Sequence, residues 1–170
     1  MTDPIRPTDD TARDLARDLL AQGRHGALGV IDPVGGAPVV SRVAVAMVAG
    51  APTLLVSTLS QHASALLADP RCSLLIAGPA GKGDPLTHPR LTLQARAAPA
   101  DKAAHRATWL HQHPKALAYI DFADFILLRL AVSGGFLNGG FGRAFRLTPA
   151  DLGLPPDGPH PAGTAPPHPS

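Results

Sequence analysis

Residues Leu54 to Leu75 read LLVSTLSQHASALLADPRCSLL, and the rest of the chain is best read outward from them. An apolar strand, Leu54-Leu55-Val56, runs into the polar turn Ser57-Thr58-Leu59-Ser60-Gln61-His62. A short helix follows through Leu66 and Leu67. Asp69-Pro70-Arg71 breaks it, and Cys72 to Ile76 begins another strand. Hydroxyls, an amide and an imidazole therefore gather where a strand end meets a helix N-terminus. Unpaired backbone N–H groups and the helix dipole favour an anion there, with phosphate the obvious candidate. The same hydroxyls of Ser57, Thr58 and Ser60 also suit a plain helix cap. From these residues alone both readings stand.

Before this stretch, Thr8 to Gln22 has the pattern of a helix. Thr8 or Asp9 can cap it, and Ala12, Leu15, Ala16, Leu19 and Leu20 form an apolar stripe. Arg13, Asp14, Arg17 and Asp18 read as a solvated face. Ala27 to Ile31 and Pro38 to Val48 read as strands joined by the turn Asp32-Pro33-Val34-Gly35-Gly36, and Ala49-Gly50-Ala51-Pro52 turns the chain again. Arg42 lies within the valine-rich second strand. A guanidinium there is either exposed on the outer face or serves as a bidentate anion ligand.

Beyond the central stretch, strand Cys72 to Ala77 leaves through the glycine-rich segment 78–85, which has the composition of a phosphate loop without its spacing. Arg90 to Ala98 alternates Leu91, Leu93, Ala95 and Ala97 against Thr92, Gln94 and Arg96, so its polar face offers an amide and a guanidinium. Asp101 to His113 reads as a helix and Pro114 opens a second short one. His105, His111 and His113 lack accompanying cysteines or carboxylates, and solvent exposure is the reading preferred over a metal site. Phe125 to Val132 is a strand running towards Ser133-Gly134-Gly135, and Gly139-Gly140-Phe141-Gly142 suggests a tight hairpin or close approach to something flat. Seven of the sixteen residues from Pro155 are proline, so residues 153–170 are expected to form a disordered tail, residues 1–7 a flexible N-terminus, and residues 8–152 one domain.

The chain has 170 residues, 45% of them apolar and 16% charged, with a net charge of +2. One globular domain with a proper core fits these values, and the scattered Lys and Arg make no nucleic-acid face. No secretory signal and no apolar run of membrane-spanning length is visible, so a cytoplasmic protein is expected. The single cysteine, Cys72, precludes an intrachain disulfide and reads as inert core packing. Short strands with helical insertions imply a mainly β fold with α additions, an antiparallel barrel.

Pro38-Val39-Val40-Ser41-Arg42, the Ser57 to His62 turn, Asp69 to Leu75, Pro89 to Leu93 and Gly139 to Ala144 together resemble the FMN-binding split-barrel proteins, the pyridoxamine 5′-phosphate oxidase-like family. The likeness is nearest to the haem-utilisation branch. It implies a six- to seven-stranded split β-barrel flanked by helices, a homodimer, and cofactors held in clefts between subunits. By resemblance, Arg42, Ser57, Thr58, Ser60, Gln61 and His62 are the candidates for holding FMN phosphate, with Gln94 at the isoalloxazine edge. The family pattern has lysine where His62 stands. The resemblance implies a flavin-dependent oxidoreductase acting on a small planar substrate. The alternatives are a haem-binding or haem-degrading protein of iron utilisation, or a carrier without turnover. If haem is the ligand, the axial candidates are His62, His160 and His168.

Overall fold

The computed structural model describes residues 5–79, 81–140 and 142–155. Three helices, α1 (Asp10–Gln22), α2 (Gln61–Ala68) and α3 (Lys102–Gln112), accompany eight strands. The strands are β1 (Ile5–Arg6), β2 (His25–Ile31), β3 (Pro38–Val48), β4 (Ala51–Ser57), β5 (Arg71–Ala77), β6 (Arg90–Ala100), β7 (Phe125–Asn138) and β8 (Ala144–Leu147). The sheet runs β1-β8-β7-β4-β3-β2-β5-β6, and an additional β6–β7 pairing closes six of the strands into an antiparallel barrel. This is the split barrel that the sequence resembles.

Strand β7 makes the closure possible because it is long enough to serve three partners. Phe125 to Arg129 pair with β4, Leu127 to Asn138 with β6, and Gly135 to Asn138 also with β8. The sequence suggested a strand ending near Val132, but β7 continues through Ser133-Gly134-Gly135. The ladders on both sides outweigh the poor strand preference of glycine, and a register shift opposite Gln94/Ala95 absorbs one residue as a bulge.

Two apolar clusters hold the fold. Leu28, Val45, Leu54, Leu74, Leu93 and Phe145 fill the barrel, where α1 adds Ala12, Ala16, Leu19 and Leu20 at helical spacing. Outside the barrel, α3 and the following 3-10 turn pack Trp109, Ala116 and Ile120 on Ala46, Leu55 and Leu127. The seam is pinned by side chains. Gln112 Nε2 donates to the Met47 carbonyl at 2.8 Å, and Gln112 Oε1 accepts from the Met47 N–H at 3.2 Å. His113 lies 2.7 Å from the Val45 carbonyl through Nε2 and stacks on Trp109 at 4.8 Å. His113 is thus a half-buried docking residue and not the exposed side chain expected.

Two further expectations change. Ile5 and Arg6, assigned to a flexible N-terminus, pair in parallel with Ala144 and Phe145, in a strand too short to carry any periodicity. Arg13 and Arg17 do not simply face solvent. Arg13 Nε donates to Asp151 Oδ1 at 2.7 Å and Arg17 Nε to the Asp151 carbonyl at 2.8 Å, clasping α1 to the turn after β8.

Candidate functional site

Residues paired across a ladder point to the same side of a sheet, so the registers define what each face carries. One row crosses six strands as Arg42, Ala27, Leu75, Thr92, Phe136 and Arg146. The adjacent row runs Val40, Gly29, Ser73, Gln94 and Gly134. Their chain neighbours Leu28, Leu74 and Leu93 are buried in the barrel, so both rows lie on its outer surface. Helix α3 covers this side of β3 only as far as Ala44. Val40 is left 70% exposed and Phe136 39% exposed, which makes this an open face with a partly apolar lining.

The face is concave. A cleft of about 660 Å³ lies over Gly29, Val40, Ser73, Gln94 and Arg96, and a second of about 480 Å³ lies over Thr92, Phe136 and Arg146. Ser73, Gln94 and Ser133 line both, so the two form one groove with small residues in its floor. Ser133, the bulged residue of β7, donates its hydroxyl to the Gln94 carbonyl at 3.2 Å at the join. A floor of glycine and serine with Val40 and Phe136 beside it suits a flat ligand. Arg42 and Arg146 make no side-chain hydrogen bond or ion pair among the described residues, and both are exposed.

The Ser57 to His62 turn lies at the end of β4. Extending the Val45–Leu54 register would set Ser57 opposite Arg42, but the β3–β4 ladder ends at that pair and the strands part. The hydroxyls of Ser57 and Ser60 are committed within the protein. Ser57 Oγ donates to Asp124 Oδ2 at 2.5 Å and accepts from the Leu59 N–H at 3.2 Å. Ser60 caps α2 by accepting from the Ala63 N–H at 3.3 Å, and donates to the Ser57 carbonyl at 2.7 Å. The Thr58 N–H is taken by the Asp124 carbonyl at 2.8 Å. His62 Nε2 lies 3.1 Å from Ser60 Oγ, and burial holds this imidazole below its ordinary pKa, so it is mainly neutral at pH 7. Gln61 is exposed. With a carboxylate on Ser57 and a neutral imidazole in the lysine's place, the turn as folded is a poor fit to a dianionic phosphate.

The structure therefore separates the sequence candidates. Arg42 and Gln94 lie on the open outer face; Ser57, Thr58, Ser60, Gln61 and His62 lie at the turn. His160 and His168, and Phe141 of the glycine-rich motif, lie outside the described residues. The cleft residues that the sequence did not single out are Arg71, Arg146, Ser133 and Phe136. Arg96 was visible in the alternation of β6 but had no known partner. None of the described residues lining the two clefts is a histidine. No group of three or more metal-ligating side chains occurs among the described residues. Cys72 lies at the cleft wall with its thiol buried and pushed up to about 11, so it is chemically quiet. No described helix is long and apolar enough to cross a membrane.

Closed barrel, helical additions and open outer face define the class as a split β-barrel protein. More narrowly, the chain belongs to the family described as CREG, beta-barrel, whose model matches residues 7–152. Over 86 residues it is 44% identical to the non-canonical heme oxygenase HOZ, chloroplastic, of Arabidopsis thaliana; this covers 48% of the chain and 25% of that protein. The solved structure of a heme binding protein from Mycobacterium smegmatis is 34% identical, with a TM-score of 0.78 over 88% of this chain and 61% of that one. The chain thus spans a quarter of the plant relative's length and about three-fifths of the mycobacterial chain's. A protein from Clostridium acetobutylicum related to general stress protein 26, of the pyridoxinephosphate oxidase family, superposes with a TM-score of 0.64. It is 13% identical over 85% of this chain and 99% of that one, a likeness of fold alone.

Proposed function

We propose that this protein binds haem on the open outer face of its barrel, as a homodimer in which a second copy covers the ligand, and serves haem utilisation. The observation that carries this reading is the groove itself. A floor of Gly29, Ser73 and Gly134 crosses several strands, flanked by Val40 and Phe136 and edged by arginines, and it suits a flat, apolar molecule with acidic groups. The names of the Arabidopsis and mycobacterial relatives point the same way.

In this reading a histidine of the C-terminal segment would hold the haem, with His160 and His168 as the candidates. Thr148 lines the groove and Pro155 follows seven residues later. His160 is five residues further on, a separation that extended chain can stretch to about 17 Å. When bound, haem would supply the redox chemistry, and the chain's own residues would seat and orient it and hold water away.

Titration of the purified protein with haemin tests this. A Soret band that saturates at one haem per chain is expected, and it should shift when His160 or His168 is replaced by alanine. No band at micromolar haemin would refute the reading. Loss of the band on adding a reductant in air would mark a degrading enzyme, and a stable band a carrier.

One observation favours a second reading, an FMN-dependent oxidoreductase. Arg42 presents an unpaired guanidinium at the edge where β3 and β4 part, the position that the family resemblance gives to a phosphate ligand. FMN fluorescence quenching by the protein would support it. The commitment of Ser57 to Asp124 ranks it second.

A further inference from the structure

We propose that Arg96 anchors a carboxylate of the molecule lying in the cleft, so that this ligand carries its acidic groups on the edge facing the β5–β6 ladder. The inference rests on the haem reading above and adds the residue that orients the ligand.

Arg96 stands directly across the ladder from Arg71. Two guanidinium groups so placed repel each other and weaken the pairing. Asp69 resolves half of the conflict. Its carboxylate accepts from Arg71 Nε at 3.0 Å on both oxygens and from Arg71 Nη2 at 2.5 Å, and it also takes the Arg71 N–H at 3.1 Å. Asp69 and Arg71 thus form a hydrogen-bonded neutral pair, to which Arg96 adds only a weaker through-space attraction for the Asp69 carboxylate. Arg96 receives no such partner: it makes no hydrogen bond or ion pair among the described residues, although its side chain is half-buried and lines the cleft.

The contrast with the other unpaired arginines is one of solvation. Arg42 and Arg146 are exposed, and water satisfies them at no cost. Arg96 is partly withdrawn from water, in a lining shared with Ile31, Pro38 and Val40. A guanidinium fork held there binds a planar carboxylate more strongly than it would at the surface, because both charges are partly desolvated and two parallel N–H···O bonds can form. Arg71, Asp69 and Arg96 together leave one net positive charge at this edge, so a carboxylate arriving there cancels it. The like-charge pair, unfavourable in the empty protein, becomes a balanced set of four groups once the ligand is seated.

The experiment compares wild type, Arg96→Ala and Arg96→Lys in titrations with haemin and with haemin dimethyl ester, whose propionates carry no charge. For haemin, Arg96→Ala is expected to bind about ten- to a hundredfold more weakly, the range of a charge-assisted hydrogen bond, and Arg96→Lys to fall between. For the dimethyl ester, wild type and Arg96→Ala are expected to bind alike. Removing Arg96 also relieves the repulsion with Arg71, so the thermal midpoint of the alanine variant is expected at or above that of wild type, which excludes misfolding as the cause. If Arg96→Ala binds haemin as tightly as wild type does, or loses haemin and ester equally, the anchoring role is overturned while the haem reading stands. If wild type binds neither porphyrin, both fall.

Discussion

Replacing Asp124 by asparagine is expected to turn the Ser57 to His62 turn towards phosphate, and so to raise the affinity for FMN. In the structure Ser57 Oγ is bound 2.5 Å from Asp124 Oδ2. A phosphate oxygen accepting from Ser57 would therefore lie about 4–5 Å from a carboxylate charge. Two unit charges at about 4 Å repel by about 1 kcal/mol in bulk water and about 4 kcal/mol at an effective dielectric constant of 20. Ser57 and Asp124 are both half-buried, so a value near 1–2 kcal/mol is appropriate after salt screening. Removing the charge should tighten FMN binding about five- to thirtyfold. The lost ionic hydrogen bond should cost about 1–2 kcal/mol of stability, while the Thr58 N–H bond to the Asp124 carbonyl, at 2.8 Å, survives the substitution. The assay is quenching of FMN fluorescence at low and physiological salt, with haemin titration as control. If folded Asp124→Asn binds FMN no better than wild type, the electrostatic argument against phosphate at this turn is wrong. An equal change in haemin affinity would refute the separation of turn and groove.

Three other outcomes follow from the same structure. Arg13, with help from the Thr148 N–H and hydroxyl, holds the Asp151 carboxyl at about 2, below its unfolded value. The stabilisation is therefore complete above about pH 5 and lost as pH falls through 4 towards 2; urea unfolding across that range should show about 1 kcal/mol, after solvent screening, that Asp151→Asn abolishes. Gly26 and Gly29 lie on opposite faces of β2 and should respond oppositely. A Cβ at Gly26 would meet the Leu75 carbonyl oxygen at 2.7 Å, so Gly26→Ala should lose about 1–3 kcal/mol by chemical denaturation. At Gly29 the nearest atom to an added Cβ is 3.8 Å away, so Gly29→Leu should fold within about 0.5 kcal/mol of wild type yet obstruct the groove floor and abolish haemin binding. Cys72, buried with its thiol pushed up to about 11, should resist a thiol-disulfide reagent in native protein and react at once after unfolding; fast native labelling would contradict the core placement.

Much of the barrel was legible along the chain. The alternation of β6, the valine run of β3 and the strand–turn–helix order from Leu54 to Leu75 are local patterns, set by whether each side chain prefers water. Helix α1 was equally plain, with Asp9 as its cap at 2.8 Å from the Ala12 N–H. Elements supported mainly by partners were not. β1 is a strand only because β8 is beside it, and β7 passes through two glycines only because β6 and β8 supply ladders on both sides. His113 looked like one of three exposed histidines until α3 folded it onto Trp109 and the Val45 carbonyl.

The site divides along the same line. By itself the sequence determined which residue types were available: the hydroxyl-rich turn, an arginine in a valine strand, and an amide and a guanidinium on one face of β6. Tertiary structure decided what each was free to do. It brought Asp124, 67 positions away, onto Ser57 and so occupied the turn that reads most like a phosphate site. Asp69, two residues away, is a local partner for Arg71, but it was the fold that set Arg96 across the ladder from Arg71 without a hydrogen-bond partner, at the edge of a groove assembled from strands far apart in the chain. Residue identity is a local property, whereas partnership and burial depend on which distant strand lies alongside, and the barrel's closure sets that.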